Sequence, residues 1–215
     1  MDHIVLTKGM VLKQTPIGEF DRRVEILTVD RGRITAFARG ARRQGGKLTA
    51  TTDFFCFGDF KLYPGREAYT LSDANITDFF IELRNDFEAT LYGMYFLEVA
   101  QFNTRENIPE KELLKTLYLA LKKCTSGQME KSLIKLVYEL KVMGLMGEYK
   151  KSERIDLLPA TKYAEQFILA TEPEKLFSFT LVPEAKHQLK LIIDREKARL
   201  WQHTFKSEEM LEPFL

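Results

Sequence analysis

The chain is poor in the residues from which metal sites and disulfide frameworks are built. Its 215 residues include two cysteines, Cys56 and Cys124, and three histidines, His3, His187 and His203. The cysteines lie far apart, and no second ligand stands at metal-binding spacing from any of these side chains. We therefore expect no zinc site, no other cofactor, and a reducing compartment.

Motifs of the common hydrolases are also missing. The sequence has no GxxxxGK[ST] phosphate-binding loop, no GxSxG nucleophile elbow and no HExxH zinc pair. Cys124 follows two lysines, whose charges favour a thiolate, but no histidine partner is evident and we interpret this thiol as inert. No catalytic residue is predicted, and we expect the protein not to be an enzyme.

Long apolar runs and a strong net charge are absent as well. No stretch approaches the ~18 consecutive apolar residues of a membrane span, and the opening residues MDHIVLTKG lack the basic and apolar regions of a signal peptide. We expect a cytoplasmic protein without a membrane partner. Because the formal net charge is only +1, any function that depends on positive charge must rest on a local cluster.

One stretch does concentrate positive charge, the segment RGRITAFARGARRQGGK at residues 31–47. No acidic residue follows its first arginine until Asp53, whereas the two signs are mixed in the rest of the chain. The six cations in it therefore look uncompensated. They are Arg31, Arg33, Arg39, Arg42, Arg43 and Lys47.

The character of this stretch changes at Gly40. From Arg33 to Arg39 the residues alternate as in a β-strand, which places Phe37 and Arg39 on the same face. From Gly40 on, we predict a mobile loop, rich in glycine and arginine, with nothing to bury. A ring can stack on a base while cations contact phosphates, so the stretch favours a nucleic-acid surface. The alternative is a solvated hairpin with a tolerated phenylalanine.

Residues 1 to about 75 have the pattern of five β-strands. The turn at Asp30–Gly32 suits a hairpin, and Gly58 in the fourth strand suits a sharply bent strand. Five strands with a long loop after the third predict a small closed barrel of the OB type. The predicted strands are residues 4–13, 23–29, 33–39, 54–63 and 68–71.

The remainder of the chain has helical periodicity. Apolar residues recur at three- and four-residue spacing, with a polar connector at residues 150–156. The predicted fold class is α+β in two parts, an OB-type DNA-binding barrel at 1–78 and an all-α helical bundle at 79–215. The predicted helices are residues 86–104, 109–125, 129–143, 160–169 and 183–201.

Several short motifs in the first 75 residues recur at the spacings of one known family. They are Gly18-Glu19-x-Asp21, Thr28-x-x-x-Gly32-Arg33, the run Ala38-Arg39-Gly40-Ala41-Arg42-Arg43, and Lys47-Leu48 before an aromatic strand. In these motifs the sequence resembles the N-terminal domain of the bacterial RecO family. The helical half is similar to that family in outline.

The resemblance implies a recombination mediator in DNA repair without catalytic chemistry. Members bind single- and double-stranded DNA, anneal complementary strands covered by single-strand-binding protein, and act with RecR in loading the recombinase. Many members carry a four-cysteine zinc module; this chain instead has GEYKKSERIDLLP at 147–159, so the metal is not carried over. The alternative that keeps the barrel is an RNA-binding protein or an interaction scaffold without annealing activity.

We predict that the DNA contacts come from barrel cations and one aromatic ring. For Arg39 an alternative remains open, since pairing with Asp53 or Glu19 across the barrel would make it structural. The predicted DNA-binding residues are Arg22, Arg23, Arg33, Phe37, Arg39, Arg42, Arg43 and Lys47.

A second site is predicted in the helical part, for the acidic tail of single-strand-binding protein, which ends in an aromatic residue. Such a tail needs an apolar pocket rimmed by cations, and opposite charge speeds the encounter. The alternative is that these lysines form the solvated face of an amphipathic bundle. The predicted residues are Lys131, Lys135, Lys186, Lys190, Leu189 and Ile193.

Overall fold

The computed structural model describes residues 4–151 and 156–214. Its contacts divide the chain into two compact units, Met1–Ile81 with Ala100–Leu114 and Glu82–Val99 with Lys115–Leu215. We refer to these as the barrel unit and the helical unit. The predicted architecture, a five-stranded barrel followed by helices, is confirmed. The domain division at residue 78 stays a prediction, and residues 100–114 group with the barrel by contact.

The barrel closes in the strand order β1-β2-β3-β5-β4. Its pairs are antiparallel except for a short parallel contact of β3 with β5, as expected of an OB-type barrel. The strands are β1 Val5–Ile17, β2 Asp21–Thr28, β3 Gly32–Ala38, β4 Phe57–Tyr63 and β5 Tyr69–Asp78.

Strand β5 continues well past the predicted end at residue 71. Its later residues include Ser72, Asp73 and Asn75, which gave no apolar alternation to detect. Backbone pairing with β4 maintains this part of the strand, since Asp59 is paired with Asn75 and Phe57 with Asp78. At Gly58 the approach is so close that a Cβ atom would lie 2.2 Å from the carbonyl oxygen of Asn75, which explains the glycine.

The segment after Gly40 is a folded cover of the barrel, so the prediction of a loop with nothing to bury was wrong. Ala41 and Leu48 belong to the apolar core of the barrel. The guanidinium of Arg22 donates to the carbonyl of Thr49 at 2.8 Å and to the hydroxyl of Thr52 at 3.0 Å. These bonds fix the backbone so that its two apolar side chains point inward.

Residues 100–108 contact the outer face of the barrel beside the β2–β3 hairpin. The backbone N–H of Arg33 donates to the carbonyl of Arg105 at 3.0 Å, and that of Asn107 donates to the carbonyl of Arg31 at 2.9 Å. Gly32 lies at φ +63°, and a Cβ there would be 2.1 Å from the Arg105 oxygen. Only glycine fits this position without moving the backbone.

Each predicted helix is present, with bounds shifted by a few residues, and three short ones, at Ile81–Asn85, Pro173–Leu176 and Lys206–Glu209, were not predicted. In the helix Lys131–Leu145 every side chain from Leu133 to Met143 is buried. None of the helices described is long and apolar enough to cross a membrane. Of the predicted polar connector, residues 152–155 lie outside the described part of the chain. The elements are α1 Ile81–Asn85, α2 Phe87–Asn103, α3 Lys111–Thr125, α4 Lys131–Leu145, α5 Pro159–Ala170, α6 Pro173–Leu176, α7 Pro183–Leu200, α8 Lys206–Glu209 and a 3₁₀ turn at Glu212–Phe214.

Candidate nucleic-acid interface

Strand β3 presents an aromatic ring and cations outward, as its alternation predicts. Ile34, Ala36 and Ala38 are fully buried, whereas Phe37 and Arg39 are exposed. Arg23 on β2 is paired with Phe37 in the strand register and is also exposed. Directly opposed residues have Cβ atoms about 5 Å apart. Arg23, Phe37 and Arg39 therefore form one outer patch on β2 and β3.

At the other end of the same face, Arg33 is bound within the protein. Its guanidinium donates to the carboxylate of Glu25 at 2.6 Å and to the carbonyl of Thr104 at 3.2 Å. Glu25 is buried and also accepts a hydrogen bond from Gln101 at 2.8 Å. This arginine therefore compensates a buried carboxylate, and the charge of the basic stretch is not wholly uncompensated.

Arg22 and Lys47 also have protein partners. Arg22 holds the segment after Gly40 through Thr49 and Thr52. Lys47 pairs with Asp73 of β5 at 2.9 Å, and this hydrogen bond lowers the pKa of the Asp73 carboxyl below its usual value. Both groups are exposed enough for the Lys47 pair to exchange with solvent.

Arg42 and Arg43 tie the covering segment to the β1–β2 turn. The backbone N–H of Arg42 donates to the carbonyl of Phe20, and its guanidinium donates to that of Gly18, both at 2.8 Å. The guanidinium carbon of Arg43 lies 4.9 Å from the centre of the Phe20 ring. Phe20 was not among the predicted residues, although an aromatic residue shortly after the turn glycine Gly18 was the signal available.

These side chains make a cationic surface without acidic partners. In residues 4–151 and 156–214, no carboxylate lies within ion-pair distance of Arg23, Arg39, Arg42 or Arg43. Arg39 thus makes no ion pair with Asp53 or Glu19, the two partners weighed from the sequence. Four positive groups and an exposed ring on the barrel unit are suited to a polyanion that also carries flat apolar faces, which describes a nucleic acid. We call Arg23, Phe37, Arg39, Arg42 and Arg43 the arginine surface.

The helical unit has a pocket at the position where a peptide site was predicted. A cavity of about 440 Å³ is lined by Lys135, Lys186, Lys190, Leu136 and Phe214, among others. Each lysine already has a carboxylate partner, Glu139 for Lys135, Glu130 for Lys186 and Asp194 for Lys190.

The other predicted members of this site, Lys131, Leu189 and Ile193, are not among the residues that line the cavity. Lys131 pairs with Glu88 at 2.9 Å and with Asp86 at 3.4 Å. Leu189 and Ile193 are fully buried in the core. Their apolar side chains support α7 and are not available to a ligand.

A buried charge cluster lies behind this pocket. One oxygen of Glu139 accepts hydrogen bonds from Lys135 and Lys197, each at 2.8 Å, and from the Tyr95 hydroxyl. Burial alone would raise the pKa of Glu139, but the two lysines outweigh it and lower that pKa. For Lys135 burial opposes the charge, yet Glu139 and Glu208 raise its pKa. The cluster is held charged by its own members.

The described residues offer little for metal or nucleophilic chemistry. Within the described residues, 4–151 and 156–214, no group of three or more His, Cys, Asp or Glu side chains is placed to hold a metal ion. Burial raises the pKa of the Cys124 thiol to about 12, so this sulfur is protonated at neutral pH. The expected absence of zinc stays a prediction, which elemental analysis of the purified protein would test.

Comparison with known proteins places this fold in a family. Residues 1–80 match the model described as Recombination protein O N terminal, and residues 84–150 match Recombination protein O C terminal. The chain is 30% identical over 141 residues to the DNA repair protein RecO of Acetivibrio thermocellus, which covers 66% of this chain and 56% of that protein. For the RecO of Alkaliphilus metalliredigens the identity is 33% over 144 residues, or 67% of this chain and 58% of the relative.

The chain matches less than two thirds of the length of either of these relatives. The two family models match the barrel and the first helices after it. On the strength of both matches and of the closed five-stranded barrel, this chain belongs to the RecO family of bacterial DNA repair proteins.

Proposed function

We propose that the protein is a non-enzymatic recombination mediator of the bacterial cytoplasm, associated with the nucleoid during repair. It binds single- and double-stranded DNA, anneals complementary strands covered by single-strand-binding protein, and assists recombinase loading together with RecR. The observation that supports this most directly is the arginine surface, in which Arg23, Arg39, Arg42 and Arg43 lack carboxylate partners in the described chain and the ring of Phe37 is exposed beside Arg23.

The surface suits binding that is independent of base sequence. Guanidinium groups contact phosphates, which every sequence shares, and a ring stacks on any base. Arg42 is held by two hydrogen bonds to backbone carbonyls, so part of the surface is positioned before DNA arrives. Arg22, Arg33 and Lys47 support the barrel or pair with carboxylates, and we assign them secondary roles in contact with DNA.

We further propose that the pocket of the helical unit binds the acidic tail of single-strand-binding protein. Lys186 and Lys190 would exchange Glu130 and Asp194, both exposed at a third or more, for carboxylates of the peptide. The aromatic residue of the tail would pack against Leu136 and Phe214 in the cavity. A peptide of this composition should bind the full chain with salt-sensitive affinity, and its aromatic-to-alanine version should bind far less well.

An annealing assay tests the proposed function. Two complementary oligonucleotides, bare or covered by single-strand-binding protein, are mixed with the protein and duplex formation is followed by fluorescence transfer. We expect faster pairing in both cases, and a loss of that acceleration in the Arg42→Gln, Arg43→Gln double variant. The matched control replaces two exposed lysines of the helical unit, Lys175→Gln with Lys206→Gln, and should behave as the wild type.

Binding measurements with DNA, RNA and acidic peptides separate the alternatives. Tight binding of RNA but not DNA would indicate an RNA-binding barrel. Binding of neither nucleic acid, with capture of acidic peptides by the barrel, would indicate an interaction scaffold. Either outcome contradicts the proposal.

A further inference from the structure

The turn between β1 and β2 presents a large apolar ring to solvent. Phe20 lies in this turn with 40% of its surface exposed, directly before the first residue of β2. Single exposed aromatic residues are common and need no function by themselves. The distinguishing features of Phe20 are the groups that surround it.

Two consecutive arginines hold the turn in place and cover the ring. Arg42 donates two hydrogen bonds to the turn, to the carbonyls of Phe20 and Gly18 at 2.8 Å each. Arg43 places its guanidinium over the Phe20 ring, 4.9 Å from the ring centre. The ring and the two cations are therefore assembled in one place in the free protein, from two segments of chain about 20 residues apart.

The acidic groups nearby do not cancel this arrangement. The carboxylate of Asp21 accepts a hydrogen bond from the backbone N–H of Gly40 at 2.8 Å, so it serves to fix the same turn. Glu19, on the other side of Phe20 in the sequence, is exposed to solvent. Neither carboxylate lies within ion-pair distance of Arg42 or Arg43 in the described chain, so both guanidinium groups remain open to a phosphate.

We propose that Phe20 is a base-stacking residue for single-stranded DNA and that Arg43 is its displaceable cover. When a strand binds, a phosphate pairs with the guanidinium of Arg43, which moves off the Phe20 ring. A base then stacks on the ring where the guanidinium was. Stacking of a base on an aromatic ring is stronger than an exposed cation–π contact, and the cation gains an ionic partner in the exchange. This inference rests on the proposed function and adds a second stacking position to Phe37.

The arrangement has a consequence for annealing. Phe20 and Phe37 hold a base by its face, so its Watson–Crick edge stays open to a complementary strand. Once the strands pair, the bases stack on each other and the two rings no longer contribute. The product is then held by phosphate contacts alone. Phe20 therefore raises affinity for single strands and not for duplex.

The test compares a thymidine oligonucleotide with an abasic oligonucleotide of the same length, by fluorescence anisotropy at fixed salt. We expect Phe20→Ala to weaken binding of the thymidine strand about 5- to 50-fold and to leave the abasic strand unchanged. Phe20→Trp should retain affinity, and its emission should be quenched by the thymidine strand, against the constant emission of Trp201, which is buried. Tyr163→Ala removes an aromatic residue that is 70% exposed in the helical unit and should change neither affinity.

Two outcomes would overturn the inference. One is an unchanged affinity of Phe20→Ala for the thymidine strand; the other is an equal loss on both oligonucleotides, which would mean that the substitution disturbed the arginines. The Arg42→Gln, Arg43→Gln variant distinguishes this from failure of the proposed function. If that variant loses affinity while Phe20→Ala does not, the surface binds DNA without this stacking position. If the wild type binds neither strand, the proposed function itself is wrong.

Discussion

The two units of this chain use positive charge in opposite ways. In the barrel unit, Arg23, Arg39 and Arg43 lie on the surface with no carboxylate partner in the part of the chain described. In the helical unit, Lys135 and Lys197 are drawn into the interior by Glu139, where they form a buried cluster. Removal of an arginine from the barrel surface should therefore change DNA affinity, whereas removal of a charged group from the buried cluster should change the free energy of unfolding.

The largest effect is expected at the buried cluster. Glu139→Gln removes the buried carboxylate that Lys135 and Lys197 share and leaves both ammonium groups with Glu208 as their counter-charge. We expect a loss of about 3 kcal/mol in the free energy of unfolding, the lower end of the range for a broken buried pair, measured by urea denaturation. Lys190→Gln breaks an exposed pair on α7 and should cost no more than about 1 kcal/mol. Similar losses of stability in both variants would show that the buried cluster contributes no more than an exposed ion pair.

The same cluster predicts how stability depends on pH. The folded state lowers the pKa of Glu139 from its ordinary value of 4.5, so its contribution is complete above that pH and is lost as pH falls through the lowered pKa. Denaturation midpoints measured between pH 7 and pH 3 should decrease in the wild type. In Glu139→Gln this acid dependence should be shallower. An equally steep decline in the variant would assign the effect to other carboxylates.

At the arginine surface the expected change is in DNA affinity. The Arg42→Gln, Arg43→Gln variant should bind all DNA sequences more weakly, and the slope of log affinity against log salt should decrease by about two, roughly one for each phosphate that is no longer neutralised. Titration at several salt concentrations measures this slope. A slope identical to that of the wild type would move the DNA-binding site away from this surface.

Phe37 tests whether the ring on the outer face of β3 contributes by stacking. Phe37→Ala should lower affinity for single strands by about 1–3 kcal/mol, and affinity for duplex much less, because paired bases are already stacked. Binding to both forms is measured in the same salt buffer. Equal losses on the two forms would mean that the ring supports the backbone instead.

Arg33 and Arg23 give the finest comparison, since both lie on the outer face of the barrel. Arg33→Gln leaves the Glu25 carboxylate without its cation and should cost about 1–3 kcal/mol of stability with little change in DNA binding. Arg23→Gln should leave the melting temperature unchanged and reduce the salt slope by about one. The reverse pattern would show that the structure assigns the two arginines wrongly.

The local features of the barrel could be predicted from the sequence because they depend on neighbours in the chain. The alternation of Ile34, Ala36 and Ala38 with Phe37 and Arg39 predicted both faces of β3. The fate of Arg33 could not be predicted in this way. Arg33 donates a hydrogen bond to the carbonyl of Thr104, which is 71 residues away in the sequence, and no local sequence pattern indicates such a contact.

Two other features that the sequence did not reveal have physical causes as well. Ala41 and Leu48 were overlooked because two apolar residues in a glycine-rich run give no periodicity, and Arg22 is needed to turn them inward. The burial of Lys135 was not predicted because most lysines are exposed. Glu139, four residues later on the same helix face, was the available signal of a pair, but its burial follows from the packing of α4, which the sequence does not show.

The contact of Gly32 with Arg105 has a consequence for the order of events during synthesis. The last strand of the barrel ends at Asp78, but the residues that cover Glu25 and Arg33 extend to Asn107. At ribosomal rates the barrel strands are complete for about one to six seconds before that cover is made. During this interval a charged pair and an open hairpin edge face the solvent. The nascent barrel unit therefore completes its fold only after residues 101–107 have been synthesised.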